Sequence, residues 1–270
     1  MKILVCIKQV PGTSRVEIDE ETGSLKRSGV ESKMNPFDLF ALETAIQIRD
    51  MAGGTVSVLT MGPPQAEAVI REAFMMGADA GCIMSDPAFA GADVLATSYT
   101  LSQGIKVMGG FDLVICGKQT TDGDTAQVGP SIAEYLDIPH VAWVSRINKV
   151  DHRSISVDYE INDSIHTVKM DLPCLITVEK DIMQPRLPSF RKKLLTKKRE
   201  VRALGLNDLF DNDAGKYGAR GSATRVERIF APESNSDRVM LEGTGKELTD
   251  KLYDILRTRK FLPEEPIWDQ

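Results

Sequence analysis

Four times in the first 140 or so residues, a short apolar run gives way to a stretch whose apolar residues recur at helical spacing. The runs are Lys2–Ile7, Thr55–Met61, Ala80–Met84 and Asp112–Cys116. Their nearly continuous apolar character is that of strands buried on both faces. The first helical stretch opens on Asn35-Pro36, with Asn as cap, Pro at the first position and Asp38 in the first turn. Phe37, Phe40, Ala41, Thr44, Ala45 and Ile48 form its inward stripe, and Gly53-Gly54 ends it. The second follows Gly62-Pro63-Pro64 and stops at Gly77, the third spans Asp93 to Met108, and the fourth repeats Val128, Ile132 and Leu136. Such an alternation predicts an α/β fold, a right-handed, doubly wound and mostly parallel sheet. A polar excursion through Ser28, with a turn at Glu20-Thr22-Gly23, is expected to form a small hairpin after the first strand.

The pattern changes after Pro139. Val141–Ser145 is strand-like, Ile155–Tyr159 and Ile165–Met170 alternate as a hairpin around Glu160–Ser164, and Cys174–Val178 is one more buried strand. These predict an antiparallel hairpin extension of the same sheet. The core-building pattern then stops, which sets expected limits of 1–190 for the α/β domain and 191–270 for a C-terminal arm. Near 183–195, two prolines and unpatterned apolar residues precede Arg191-Lys192-Lys193 and Lys197-Lys198-Arg199, the composition of a docking loop with Leu187 and Phe190 as exposed anchors. Residues 205–243 are polar, and a helical stripe returns at Leu248, Leu252, Ile255 and Leu256. A tail too polar for a core, ending in an amphipathic helix, is expected to lie on another subunit.

The chemistry centres on Phe111–Leu136. A strand ending at Gly117, a loop of Gly, Thr and Asp, and a helix place backbone N–H groups at the carboxyl edge of the sheet, where open α/β sheets bind nucleotides. The loop lacks GxxxxGK[ST], and no GxGxxG follows any strand. If a nucleotide binds, the backbone amides, Lys118 and the threonine hydroxyls suit its phosphates. Asp122 and Asp124 suit ribose hydroxyls or the helix cap. An ordinary capped strand–helix loop satisfies the same pattern. A net charge of −6 argues against nucleic acid as partner, and no apolar run approaches the ~18 residues of a membrane span. Cys6, Cys82, Cys116 and Cys174 all lie in strand-like runs without a CxxC, and the first residues lack a signal-peptide pattern, so reduced thiols and a cytoplasmic location are expected. His140, His152 and His166 have no metal-ligand spacing, and no hydrolase or kinase signature occurs. Any redox chemistry must come from a bound cofactor.

Six stretches bear a wider resemblance: KILVCIKQVP at the start, NPFD at Asn35–Asp38, MGPPQ at Met61–Gln65, GKQTTDGDTAQVGP at Gly117–Pro130, LPCLITVEKDIMQPRLPS at Leu172–Ser189, and the basic stretch after it. In this order, across essentially the whole chain, they resemble the β subunit of electron transfer flavoproteins. The resemblance implies a Rossmann-like, adenine-nucleotide-binding fold. The nucleotide would lie against Cys6, against Asn35, Pro36, Phe37 and Asp38, against Met61, and against the loop made of Gly117, Lys118, Gln119, Thr120, Thr121, Asp122, Gly123, Asp124, Thr125, Ala126, Gln127 and Val128. It also implies a recognition loop, with Arg186, Leu187 and Phe190 docking a dehydrogenase, and an arm wrapped around the α subunit. One departure is His166, where relatives commonly carry Glu; a charge contact to the α subunit's flavin domain is in doubt there.

Members of the family divide by what this subunit holds. In simple electron carriers it is AMP, beside a loop resembling D-D-D-x-N-Q-T. Here the loop reads D-G-D-T-A-Q-V, with Gly123, Ala126 and Val128 in place of larger or polar residues, which leaves room for a larger ligand. This resembles the electron-bifurcating members, which bind a second FAD, with Asp93 and Thr97 opening a helix beside its diphosphate. The resemblance then implies an oxidoreductase complex in which NADH reduces this FAD. One electron goes to ferredoxin or flavodoxin, and the other passes through the α-subunit FAD to a docked flavin-dependent dehydrogenase, of acyl-CoA/enoyl-CoA reductase or lactate type. No residue of the chain need be an acid, base or nucleophile, and no metal site is expected. The rivals are an AMP-holding carrier and a nucleotide-hydrolysing or stress-type adenine-nucleotide-binding protein. An ATP pyrophosphatase would need an SGGxDS-type loop where this chain reads KQVPGTS.

Overall fold

A computed structural model describes residues 1–12, 32–227 and 238–262. The turn expected at Glu20-Thr22-Gly23 lies outside the described residues, as does the end of the chain after residue 262. In chain order the strands are β1 (Lys2–Cys6), β2 (Gln9–Pro11), β3 (Ser32–Met34), β4 (Thr55–Met61), β5 (Ala80–Met84), β6 (Leu113–Gly117), β7 (His140–Val150), β8 (Ser154–Ile161), β9 (Ser164–Asp171), β10 (Cys174–Val178) and β11 (Arg202–Leu204). The helices are α1 (Pro36–Ala52), α2 (Glu67–Met76), α3 (Val94–Met108), α4 (Val128–Leu136), α5 (Phe190–Thr196), α6 (Gly218–Gly221) and α7 (Gly245–Thr258). None of the described helices is long and apolar enough to cross a membrane.

Nine strands form one sheet in the order β11-β5-β4-β1-β6-β10-β7-β8-β9, parallel from β11 to β7 and antiparallel from β7 to β9. Helices α1 and α2 cover one face with Ile3, Val5, Val58, Leu113, Ile115 and Ile176. Helices α3 and α4 cover the other, over Leu4, Leu59, Val114 and Leu175. From β1 the chain steps through β4 to β5 on one side, then returns to place β6 on the other. The strand order therefore reverses between β1 and β6, and a crevice opens at the carboxyl ends of those two strands, the ligand position of open α/β sheets. β2 and β3 pair as the legs of a small antiparallel ribbon.

Three expectations change. The strand of Cys174–Val178 is central, between β6 and β7, because it is apolar at every position except Thr177 and buried on both faces. The first part of β7 runs parallel to it, so only the β7-β8-β9 portion is antiparallel. In α1, Leu42 and Ile46 are buried with Ala41, Ala45 and Ile48, whereas Phe37 and Phe40 are half-buried; the helix is covered on more sides than one stripe provides. The compact unit also runs on to residue 229 rather than stopping at 190. Arg202–Leu204 pairs with β5 as an edge strand, and Leu204, Leu209 and Tyr217 enter the core beside α3. A segment polar on average needs only a few apolar residues to pack when a core already exists. The second unit, residues 230–270, contains α7, at whose start the Glu247 carboxylate accepts from Thr244 N at 2.8 Å and from Thr244 Oγ1 at 3.0 Å.

Candidate functional site

The crevice is built at the ends of β1 and β6, where α1 begins and where the loop between β6 and α4 crosses. Gly117 is required there by close approach. A Cβ on it would lie 2.6 Å from Asp38 Oδ1 and 2.7 Å from the Phe37 carbonyl carbon. Asp38 is buried. Its Oδ2 accepts from Lys8 N at 2.7 Å and its Oδ1 from Asn35 Nδ2 at 2.9 Å. Asn35 Nδ2 also donates to Gln119 O at 2.9 Å, and its Oδ1 accepts from Thr121 N at 3.3 Å. One buried Asn–Asp pair thus ties β1, α1 and the loop together. Burial pushes the Asp38 carboxyl up to about 7, against the bonds from Asn35 and Lys8 that favour its charge.

The loop itself is exposed from Thr121 to Thr125. Lys8 Nζ bridges to Asp122 at 2.7 Å; although the site is partly buried, this bond holds the Asp122 carboxyl below its ordinary range. Gln119 donates to Asp124. Asp124 and Ala126 have φ of 50° and 55°, the left-handed region, which turns the backbone twice within three residues. Beyond them, α4 starts at Gln127 with no side-chain cap, leaving amides of its first turn without an internal acceptor. Its neighbour α3 is close, since Ser98 Oγ bonds to Val94 O at 2.7 Å and reaches Val128 O at 3.4 Å. The N-terminal ends of α1, α3 and α4 therefore converge on one sheet edge with Met61, the last residue of β4.

Three of the expected ligand side chains are engaged elsewhere. Lys118 Nζ is 2.6 Å from Glu179 Oε1 and lies 4.6 Å from the centre of the Trp143 ring, so it is engaged toward β10 and β7. Asp93 caps α3 through Ala96 N at 3.0 Å and accepts from Thr224 N at 2.9 Å, joining α3 to a later segment. Asp38 shapes the crevice from behind. Sequence reasoning missed Lys8, which is the cation actually present at the loop. It also missed Trp143, which sits at a bulge with φ 61° and is 44% exposed. Lys8 follows an apolar strand directly, a position that signals a strand-end cation. Trp143 has no comparable signal, because the bulge depends on the pairing of β7 with β10.

The expected docking segment splits into an anchor and a display surface. Arg186 grips Glu43, which is 3% exposed, with Nε to Oε2 at 2.8 Å and a terminal nitrogen to Oε1 at 2.9 Å. Arg186 is therefore anchored to α1, with a third of its side chain still exposed. Ser189 N bonds to Met75 O at 3.0 Å and Lys192 Nζ to Met76 O at 2.9 Å, which fixes α5 on the end of α2. Held this way, Leu187 and Phe190 stand 87% and 72% exposed, with Leu194 and Leu195 beside them and lysines and arginines around.

No cluster of three or more metal-ligating side chains occurs among the described residues. Comparison with known proteins gives one consistent result. The family described as electron transfer flavoprotein domain matches residues 22–209. Electron transfer flavoprotein subunit beta of Thermoanaerobacterium thermosaccharolyticum is 42% identical over 263 residues, covering 97% of this chain and 100% of that protein. Protein FixA of Sinorhizobium fredii is 42% identical over 263 residues, covering 95% and 92%. The caffeyl-CoA reductase-Etf complex subunit CarD of Acetobacterium woodii is 42% identical over 264 residues, covering 97% and 100%.

Proposed function

Because the chain belongs to the electron transfer flavoprotein family as a β subunit, we propose that its β1–β6 crevice holds FAD and that it serves an electron-bifurcating complex. When bound, FAD supplies the capacity to take a hydride from NADH and release its two electrons singly, one toward ferredoxin or flavodoxin and one toward the α-subunit flavin and a docked dehydrogenase. The chain's own residues bind and orient. Backbone amides of the loop and of the uncapped start of α4 meet the diphosphate. Lys8 and Asp122 cover the loop as a neutral pair, and the Asn35–Asp38 clamp sets its distance from β1. The reading is carried by Gly123. Its φ is not in the left-handed region, and a Cβ there would approach only Thr120 Oγ1, at 3.4 Å. Neither the turn nor the packing needs a glycine at that position, so its missing side chain is best understood as space for the ligand. Leu187, Phe190, Leu194 and Leu195 form the dehydrogenase-docking face, and the likeness to a subunit of the A. woodii caffeyl-CoA reductase-Etf complex supports a CoA-thioester reductase as the kind of partner. The C-terminal arm, through the amphipathic helix α7, lies on the α subunit. The four unbridged cysteines fit a cytoplasmic location.

The test is the nucleotide content of the αβ complex, released by denaturation and quantified. Two FAD and no AMP per heterodimer are expected. One FAD and one AMP would make this the β subunit of a simple carrier.

A further inference from the structure

The crevice floor contains a pair of thiols that the electron-transfer role does not use. Cys6 and Cys116 are register partners, the last and the penultimate residues of adjacent parallel strands β1 and β6. Both point to the α3/α4 face, in line with Leu4 and Val114 beneath them. Neighbouring strands lie about 4.8 Å apart, within the roughly 4.4–6.8 Å between Cα atoms that a disulfide spans. Neither of the other two cysteines can compete. Cys82 shares the same row but is separated from Cys6 by Leu59, two strand spacings or about 10 Å away. Cys174 pairs with Leu113 and faces the opposite layer. All four are unbridged.

The two thiols differ in access. Cys6 is partly exposed at the crevice, whereas Cys116 is buried. The adjoining Cys6 thiol, and then burial, push the Cys116 thiol well above its ordinary value, so Cys116 stays protonated and an oxidant meets Cys6 first.

We propose that Cys6 and Cys116 are a peroxide-responsive dithiol at the strand switch point, closing to a disulfide across β1 and β6 when the crevice is empty and protected when a nucleotide covers Cys6. The protection half rests on the nucleotide reading above, and the dithiol itself does not. The Cys6 sulfur attacks a hydroperoxide oxygen and the O–O bond breaks. The distal oxygen leaves as alcohol or water with the thiol proton, and Cys6 becomes a sulfenic acid. The Cys116 sulfur then displaces hydroxide from the Cys6 sulfur, and the Cys116 proton completes a water molecule. Two thiols and one hydroperoxide give one disulfide, one alcohol and one water. A subunit that has lost its nucleotide is thereby marked, reversibly, by its own crevice.

The test uses the αβ complex as purified and the same complex stripped of nucleotide, each exposed to hydrogen peroxide, followed by mass mapping of unreduced peptides from this chain. The stripped complex is expected to yield a Cys6–Cys116 cross-linked peptide that dithiothreitol reverses. At FAD concentrations about tenfold above its dissociation constant, the cross-link should form about tenfold more slowly, in proportion to the free fraction. Cys116→Ser should stop at a dimedone-trappable sulfenic acid on Cys6, and Cys6→Ser should leave Cys116 unmodified. Absence of the cross-link in the stripped wild-type complex overturns the dithiol, even where nucleotide content still supports the binding site. Equal rates with and without FAD, in a complex shown to hold it, overturn the protection and move the ligand away from Cys6.

Discussion

Replacing Asp38 with Asn removes charge at the clamp while preserving shape, and its cost should depend on pH in an unusual direction. The two carboxylate oxygens of Asp38 each take a donor, Lys8 N–H on one and the Asn35 amide on the other. The amide of the variant keeps one oxygen and presents an NH2 where the other stood, so one buried donor loses its acceptor, at about 1–3 kcal/mol. The wild-type carboxyl, raised by burial to about 7 from 3.8, binds a proton in the folded state that the unfolded chain does not hold between those values. Stability from this group is therefore fully present below about pH 4 and is lost as pH rises through about 7. Between pH 5.5 and 8 the loss is about 2 kcal/mol, at about 1.4 kcal/mol for each unit below 7. The substituted amide does not titrate. The destabilisation caused by Asp38→Asn should thus shrink from pH 5.5 to pH 8, vanishing or reversing at the higher value, a change of roughly 1 M in urea midpoint relative to wild type. Urea unfolding of both proteins at the two pH values, followed by tryptophan emission, measures this directly. A cost that stays constant or grows with pH would show that Asp38 is ionised throughout, with its two donors outweighing burial.

Gly123→Asp should fold as stably as wild type, since neither φ nor packing opposes the new side chain, yet lower FAD occupancy of this subunit; unchanged FAD stoichiometry on denaturation would refute the space argument. Arg186→Ala leaves Glu43 as a buried charge with no cation, held only by the Gln47 amide and the backbone N–H of residue 186, and should destabilise by about 3 kcal/mol, read from thermal or urea unfolding. Because hydrogen bonds from Arg186 hold the Glu43 carboxyl below its ordinary range despite its burial, that contribution should be present above about pH 4.5 and fall away as the solution is acidified through the lowered value. Phe190→Asp should abolish electron delivery to the dehydrogenase while flavin content stays intact; loss of flavin would show the segment to be structural.

The strands, helices and their boundaries were legible because each carries a strong local signal. Asn35-Pro36, Gly53-Gly54 and Gly77 delimit helices by backbone preference alone, and β4 and β5 stand where continuous apolar runs stand. What could not be read was pairing. The central place of Cys174–Val178 depends on which strand it neighbours, and the return of Arg202–Leu204 to β5 rests on three residues with no period of their own. The same limit applied at the site. Lys118 reads from the sequence as a loop cation, and only the fold shows that Glu179 and Trp143 lie against it. The resemblance put Arg186 in a recognition loop, and its ion pair with Glu43 could not be read, because Glu43 announces itself only as a lone acid among Ala41, Leu42, Thr44 and Ala45.

The charged side chains around the crevice follow one rule. Lys8 pairs with Asp122, Lys118 with Glu179, Asp38 with internal donors, and Asp93 with the start of α3. Each of these groups has a partner within the chain, and every such pair ties the crevice loop or a neighbouring helix to another part of the fold. Under the function proposed above, the subunit needs to hold its nucleotide at a fixed distance and orientation, which charges paired within the chain maintain. On that reading the ligand is met by backbone amides: those of the loop, turned by left-handed residues 124 and 126, and those of the uncapped start of α4. Binding through main-chain N–H groups does not depend on side-chain identity, so a subunit of this kind can exchange one nucleotide for another by removing side chains. Gly123 is a position where that removal costs the fold nothing.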